Sequence, residues 1–506
     1  MSETSGNGGR RGARVRRDIW SLEEEQPWHP ITRAYALGVR EMQSRADSDP
    51  TSWTYQAQIH GMPDGGQPDD FRGQCQHQTW FFLSWHRLYL HWFERVVQAC
   101  VEANSSIDYE VRAGWALPYW NYSPGGTRAT LPAAFRDAAM PDGSPNPLFV
   151  ADRNDFVNDG EELDPRAVLI DRALAPTVFS RPRPDGGFGG AETGWNHFNQ
   201  DVRRMPGSLE QTPHGSVHVE VGGLMAGFGT AGLDPVFWLH HANIDRLWES
   251  WRLELGRPDP DVVSAWGTTR FRFHDEKGNQ TSGTAADVLD TAADLDYTYE
   301  DIIVPAPTRR GRRGRVQPPS ASEDSATGRS EGMPPGNDGP PAELVGATED
   351  AVELSGGTQD VSFRIDRPRG PAADQRDAAP GRVILTVEGI EGVEPGRSAD
   401  VTYAVYLNPP GDEDPDADPE QFFAGTLDFF GLEEVGSLGS DTTGHDLRRS
   451  FDVTDLVEAL REEGRWDPGS VTVSFRPLRR GRRRAADDAQ REVTAVRVGR
   501  VGLFVE

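Results

Sequence analysis

Three short stretches of this 506-residue chain hold six of its twelve histidines. They are Cys75-Gln76-His77 with Trp85-His86-Arg87, then Pro213-His214-Gly215-Ser216-Val217-His218, then Asp234-Pro235-Val236-Phe237-Trp238-Leu239-His240-His241. Upstream, His60 stands in Gln58-Ile59-His60-Gly61. Neutral imidazole ligates copper, zinc, iron and nickel. Six such ligands without cysteine or carboxylate at matching spacing point to a dinuclear, imidazole-only site. That constrains the fold, because segments far apart in sequence must converge on one centre. His214 and His218 are four apart, so on a helix both rings leave one face. His77 and His86 are nine apart, which turns about 180° on a helix. His86 therefore belongs inside the helix predicted over Phe81–Val101, and His77 before it or at its start. His60 comes from a separate loop or helix end, and the helix beginning near Asp234-Pro235 adds His240-His241.

Composition bounds the partners. Eighty acidic residues against 52 basic give a net charge of −28, the wrong sign for a nucleic-acid partner. Lys277 is the only lysine. Acidity with so little lysine suits either high salt or a GC-rich genome that favours arginine codons. The two cysteines, Cys75 and Cys100, exclude a disulfide framework, and Cys100 on the buried helix reads as a core residue. No apolar run reaches the roughly 18–20 residues that span a bilayer. Arg10, Arg11, Arg14, Arg16 and Arg17 precede no apolar stretch, so a signal peptide is not supported and a soluble, cytoplasmic protein is expected.

The chain divides by pattern into a mainly α helix-bundle domain and a small, mainly β C-terminal domain. Residues 1–17 are expected to be a disordered arm. Residues 18–304 are rich in Trp and His, with a helix over Ser208–Val219 capped by Ser208, and mostly loop over 123–195. Residues 305–350 form a Pro/Arg/Gly-rich linker. Its run from Arg309 to Arg315 reads as a charged linker or a protease site. From 351 to 506, short β-branched runs such as Val383–Val387, Thr402–Leu407 and Val471–Phe475 predict a sandwich or barrel, interrupted by one helix over Val453–Glu462.

The residues between the histidines carry a resemblance. His77–Glu94 (HQTWFFLSWHRLYLHWFE) and Asp234–Asp245 (DPVFWLHHANID) resemble the two copper signatures of the tyrosinase, catechol oxidase and mollusc-hemocyanin superfamily. Residues 208–228 are similar to plant polyphenol oxidases, as are Tyr297-Thr298-Tyr299 and, more loosely, Tyr403–Asn408, Phe423–Leu427 and Leu456–Leu460. The resemblance implies two copper ions in a type 3 site, held by His60, His77 and His86 and by His214, His218 and His241. It places His240 outside the ligand set, as a neighbour that orients it. It makes Glu210 the residue that orients a phenol-deprotonating water, and Phe228 an aromatic gate. It implies a shielding role for the C-terminal domain, with Leu407 the candidate plug. The plant thioether cysteine would fall near Asp64. Cys75 instead stands two residues before His77, as in fungal tyrosinases and mollusc hemocyanins, where that pair is crosslinked; the alternative is a reduced cysteine beside the site.

The implied function is oxidation of o-diphenols to o-quinones with O2, latent until the C-terminal domain is displaced, by an activating protease if the linker is the switch. Gly215 follows His214 where many efficient tyrosinases carry asparagine. It therefore predicts weak monophenol hydroxylation, or o-aminophenol oxidation, unless glycine merely opens the substrate entrance. A reversible O2 carrier of hemocyanin type shares the ligands, but Glu210 and the single copper domain argue against it. A zinc hydrolase lacks a carboxylate at the zincin spacing.

Overall fold

The computed structural model describes residues 13–63, 69–194, 204–302, 342–365, 381–392, 401–410, 418–432, 447–478 and 495–506. The Arg309–Arg315 run and Asp64 lie outside them. The helical half is built around the Phe82–Ala103 helix, apolar on nearly every face because it is enclosed. The Pro30–Gln43 and Pro235–Leu253 helices pack against it. Asp234 caps the latter by accepting the Val236 N–H at 2.9 Å, with Pro235 at the first helical position. Ser52 caps the Trp53–His60 helix, whose last residue is His60. Residues 123–194 hold only short helices between loops, as their Pro and Gly content predicts.

The helix expected over Ser208–Val219 is broken. Thr212 is extended (φ −141°, ψ 126°), and a regular α-helix runs only over Ser216–Val221. Pro213 has no N–H to donate and disfavours helical angles at the residue before it. Ser208 is no cap either; its hydroxyl donates to the Ala173 carbonyl.

Buried charge ties the helices together. Arg87, fully buried, pairs with Asp245 and Glu249. Arg16 pairs with Glu94 and lies 3.6 Å from the Tyr297 ring centre. That contact corrects the end of the expected disordered arm, whose residues 1–12 lie outside the described residues: Arg14–Arg16 form strand β1. The helical half also holds the hairpin of β2 (Phe271–His274) and β3 (Gln280–Gly283), and β4 (Tyr297–Tyr299), which pairs in parallel with β1. A guanidinium this deeply buried is stable only against carboxylates, and Arg16 meets them far along the chain.

The C-terminal half is two antiparallel sheets sharing one core. One is ordered β10 (Phe423–Leu427), β9 (Tyr403–Leu407), β12 (Val471–Pro477), β7 (Gln359–Phe363). The other is ordered β11 (Leu447–Asp452), β8 (Val383–Gly392), β13 (Val496–Val505), β5 (Glu343–Ala347), with β6 (Val352–Leu354) also on β13. Strand β5 stands inside the stretch expected to be linker. The Thr454–Glu462 helix buries Leu456, Val457 and Leu460 against this core. The half docks through polar contacts: Arg166 Nη1 to Tyr406 Oη at 2.9 Å, Thr426 Oγ1 to the Arg166 carbonyl at 2.9 Å, and the Ser450 N–H to Gln211 Oε1 at 2.7 Å. Among the described residues no helix is long and apolar enough to cross a membrane.

Candidate metal centre

The histidines converge as two abutting groups: His60, Cys75, His77 and His86; and His214, His218, His240 and His241. Four rings are fixed from behind. Nδ1 of His60 faces the Phe228 carbonyl at 3.1 Å, that of His86 the Phe82 carbonyl at 2.7 Å, that of His214 the Glu210 carbonyl at 3.1 Å, and that of His218 the Met225 carbonyl at 2.7 Å. A carbonyl accepts only from N–H, so each of these rings presents a lone pair on Nε2. His86 and His241 stack at 4.6 Å across the boundary between the groups, and His77 lies 5.5 Å from His214.

Burial keeps the rings neutral. It holds His60 down to about 3, and His77, His86, His214, His218 and His241 well below the ordinary histidine value, helped in these five by neighbouring imidazoles. Nε2 of His218 and of His241 face one another at 3.2 Å, and Nε2 of His60 and of His214 are buried without a hydrogen-bond partner. Converging neutral donors of this kind fit metal ions. An imidazole-only set suits copper, for which such sites have the highest affinity in the first-row series.

His240 enters the second group, so the structure gathers four rings there where three were expected to bind. Its Nδ1 faces Tyr122 Oη at 3.1 Å and its ring stacks on His214 at 5.5 Å. Cys75 Sγ lies 3.6 and 3.7 Å from the two ring nitrogens of His77 and 3.3 Å from His86 Nε2. Near-equal distances put the sulfur close to the plane that bisects the His77 ring through Cε1. Phe228 packs 4.8 Å from His60 and 4.9 Å from His77. Glu210 is buried; its Oε1 accepts the Gln78 N–H at 2.7 Å and its Oε2 has no partner. Burial raises its pKa to about 8. Cys100 is buried beside Arg45, as a core residue.

The plug expectation is corrected. Leu407 is buried in the β core, paired with Val473. Phe430 instead reaches the site: its ring stacks on His218 at 4.0 Å and 15°, and meets His77 and His214 edge-on at 5.6 and 5.4 Å. With His77, Glu210, His214, Gly215 and Arg449 it lines a small cavity over the second group. The only signal in the sequence is two consecutive aromatics before Gly431. Tyr122 and the Gln78 amide were also missed.

Two abutting groups of neutral, backbone-anchored imidazoles define a type 3 dicopper protein. Comparison with known proteins agrees. Residues 50–254 match the common central domain of tyrosinase, 261–312 the polyphenol oxidase middle domain, and 341–506 a domain of unknown function. A tyrosinase of Hahella sp. (strain CCB-MM4) is 30% identical over 97% of this chain and 99% of its own. The latent form of Prunus armeniaca polyphenol oxidase is 26% identical over 89% of this chain and 72% of its own. The solved structure of latent apple tyrosinase shares the fold, with TM-score 0.61 at 21% identity and 98% of each chain covered. The chain belongs to the tyrosinase and polyphenol oxidase family. It is an oxidoreductase with two copper ions as cofactor, acting on phenolic substrates with O2.

The cytoplasmic expectation is overturned by the same comparison. The polyphenol oxidases of Malus domestica and Spinacia oleracea among its relatives are chloroplastic. A targeting segment is read by a receptor and then removed, so a fold of this kind carries no mark of its compartment.

Proposed function

We propose that the chain oxidises o-diphenols to o-quinones, hydroxylates monophenols weakly, and is latent while the β half covers the site. The observation that carries this reading is Glu210, buried, fixed on one oxygen by Gln78 and with the other unpartnered beside His77 and His214. His60, His77 and His86 would hold one copper and His214, His218 and His241 the other, and the pair would supply the O2 and redox chemistry. Glu210 receives the phenol proton through water, and its raised pKa suits a base working near neutrality. Gly215 offers that water no side-chain donor, which favours substrates already bearing two hydroxyls. Phe228 gates the first group, and His240, gripped by Tyr122, orients the second rather than binding metal. Cys75 is the partner of a thioether to His77. Two catechols give four electrons and four protons, which reduce one O2 to two waters.

In this reading residues 18–304, with β1, are the catalytic domain. Residues 351–506, extended upstream to β5, are the shield, and protease cleavage of the linker releases it. The acidic balance argues against a nucleic-acid partner. The test is a copper count combined with oxidation of catechol, a tyrosine-like monophenol and o-aminophenol, before and after linker cleavage. Two coppers per chain, rapid quinone from catechol after cleavage and slow monophenol turnover are expected. A reversible, O2-dependent near-ultraviolet band without quinone would make the chain an O2 carrier instead.

A further inference from the structure

Gly215 has ordinary helical angles, φ −63° and ψ −41°. Its backbone gives no reason for glycine, and alanine would favour a helix there. The space its side chain would take is filled from the other half of the molecule. A Cβ at this position would stand 2.4 Å from Asp428 Oδ1, 2.7 Å from its Cγ and 2.9 Å from Oδ2. Asp428 is not a flexible surface group that could swing aside. It is fully buried, and its Oδ1 accepts both Arg449 Nη2 at 2.9 Å and the Phe430 N–H at 3.2 Å. The second of these bonds shapes the turn through Gly431, at φ +85°, that aims the Phe430 ring at His218. A missing side chain, a buried carboxylate and the aromatic plug are thus one mechanical unit.

We propose that Gly215 is the socket in which the β half seats its plug, so that position 215 sets how tightly the site is covered as well as what reaches it. Any side chain there lifts Asp428, breaks its hold on the Phe430 amide and withdraws the ring. A donor side chain beside His214 and a closed site are then incompatible in the intact chain. In this chain glycine keeps the seal, and with it the preference for o-diphenols. The effect on activity rests on the latency reading above; the seating itself does not.

The test uses the intact, copper-loaded chain with Gly215→Ala, Gly215→Asn, Asp428→Ala and the double variant Gly215→Ala/Asp428→Ala. Hydrogen exchange over residues 423–432 reports seating without reference to turnover. Overpacking of a tight contact predicts exchange about tenfold faster or more in Gly215→Ala, and faster still in Gly215→Asn. The catechol rate of the uncut variants should move toward that of the cut chain. Asp428→Ala removes the latch and the obstacle together, so adding Gly215→Ala to it should change exchange little further. Unchanged exchange in Gly215→Ala, or independent addition of the two substitutions, overturns the proposal. If the unsubstituted chain oxidises catechol equally well uncut and cut, latency fails, while the exchange result still decides whether Gly215 is the socket.

Discussion

The helical half and the β half both touch the copper site, and they hold it by opposite means. The helical half fixes its rings from behind, with four Nδ1 atoms on backbone carbonyls and the carrying helices joined by the buried charges of Arg87 and Arg16. The β half contributes one ring on one capped turn and docks through a polar seam. Metal ligands must stay within tenths of an ångström of their positions, so their supports are redundant and dry. A plug that is to leave, as the proposed latency requires, can rest on one carboxylate, one arginine and contacts that water can replace. The difference teaches that a redundant support and a lighter cover meet at the same site from separate halves.

The largest effect should come from breaking the rigid side at its ligands. His218→Ala is expected to lower copper from two per chain toward one and to abolish catechol oxidation, read by metal analysis and quinone absorbance; full activity would remove His218 from the ligand set. Next comes the scaffold. Arg87→Ala takes one buried cation from Asp245 and Glu249, leaving them Arg16 and Arg252, and should cost about 3 kcal/mol, seen as a lowered melting temperature of the helical half. Parent-like melting would show that the buried charges do not lock the helices. Glu210→Gln keeps the shape but not the base, and should lower kcat about a hundredfold or more with copper content unchanged. The smallest effect belongs to the displaceable side. Phe430→Ala should raise catechol oxidation by the uncut chain about tenfold and leave the cut chain unaltered, since one ring's packing is worth only a few kcal/mol.

The same division separates what the sequence made legible from what it did not. The convergence of His60, His77, His86, His214, His218 and His241 was readable because ligand type, spacing and intervening aromatics agree. So were the Phe82–Ala103 and Pro235–Leu253 helices, where periodicity and a cap coincide. The break at Thr212 was written in Pro213, but the i,i+4 histidine spacing masked it. Strand β1 was hidden because Arg16 is ordered by Glu94, Asp245, Tyr297 and Tyr299, which the chain reaches much later. Phe430 and Asp428 were invisible for the same reason. Their meaning lies in what they touch across the interface, and a local pattern carries no record of that. His240 was expected beside the ligands rather than among them, and the structure gathers it with His214, His218 and His241; its contact with Tyr122 was not readable.

The most direct test is the catechol oxidation rate of one copper-loaded preparation, measured before and after cleavage within residues 305–341. The account predicts that the rate rises on cleavage while the copper count stays at two per chain. Equal rates with cleavage confirmed would contradict the shielding role of the β half. Absence of quinone from both forms, with both coppers present, would contradict the enzyme itself.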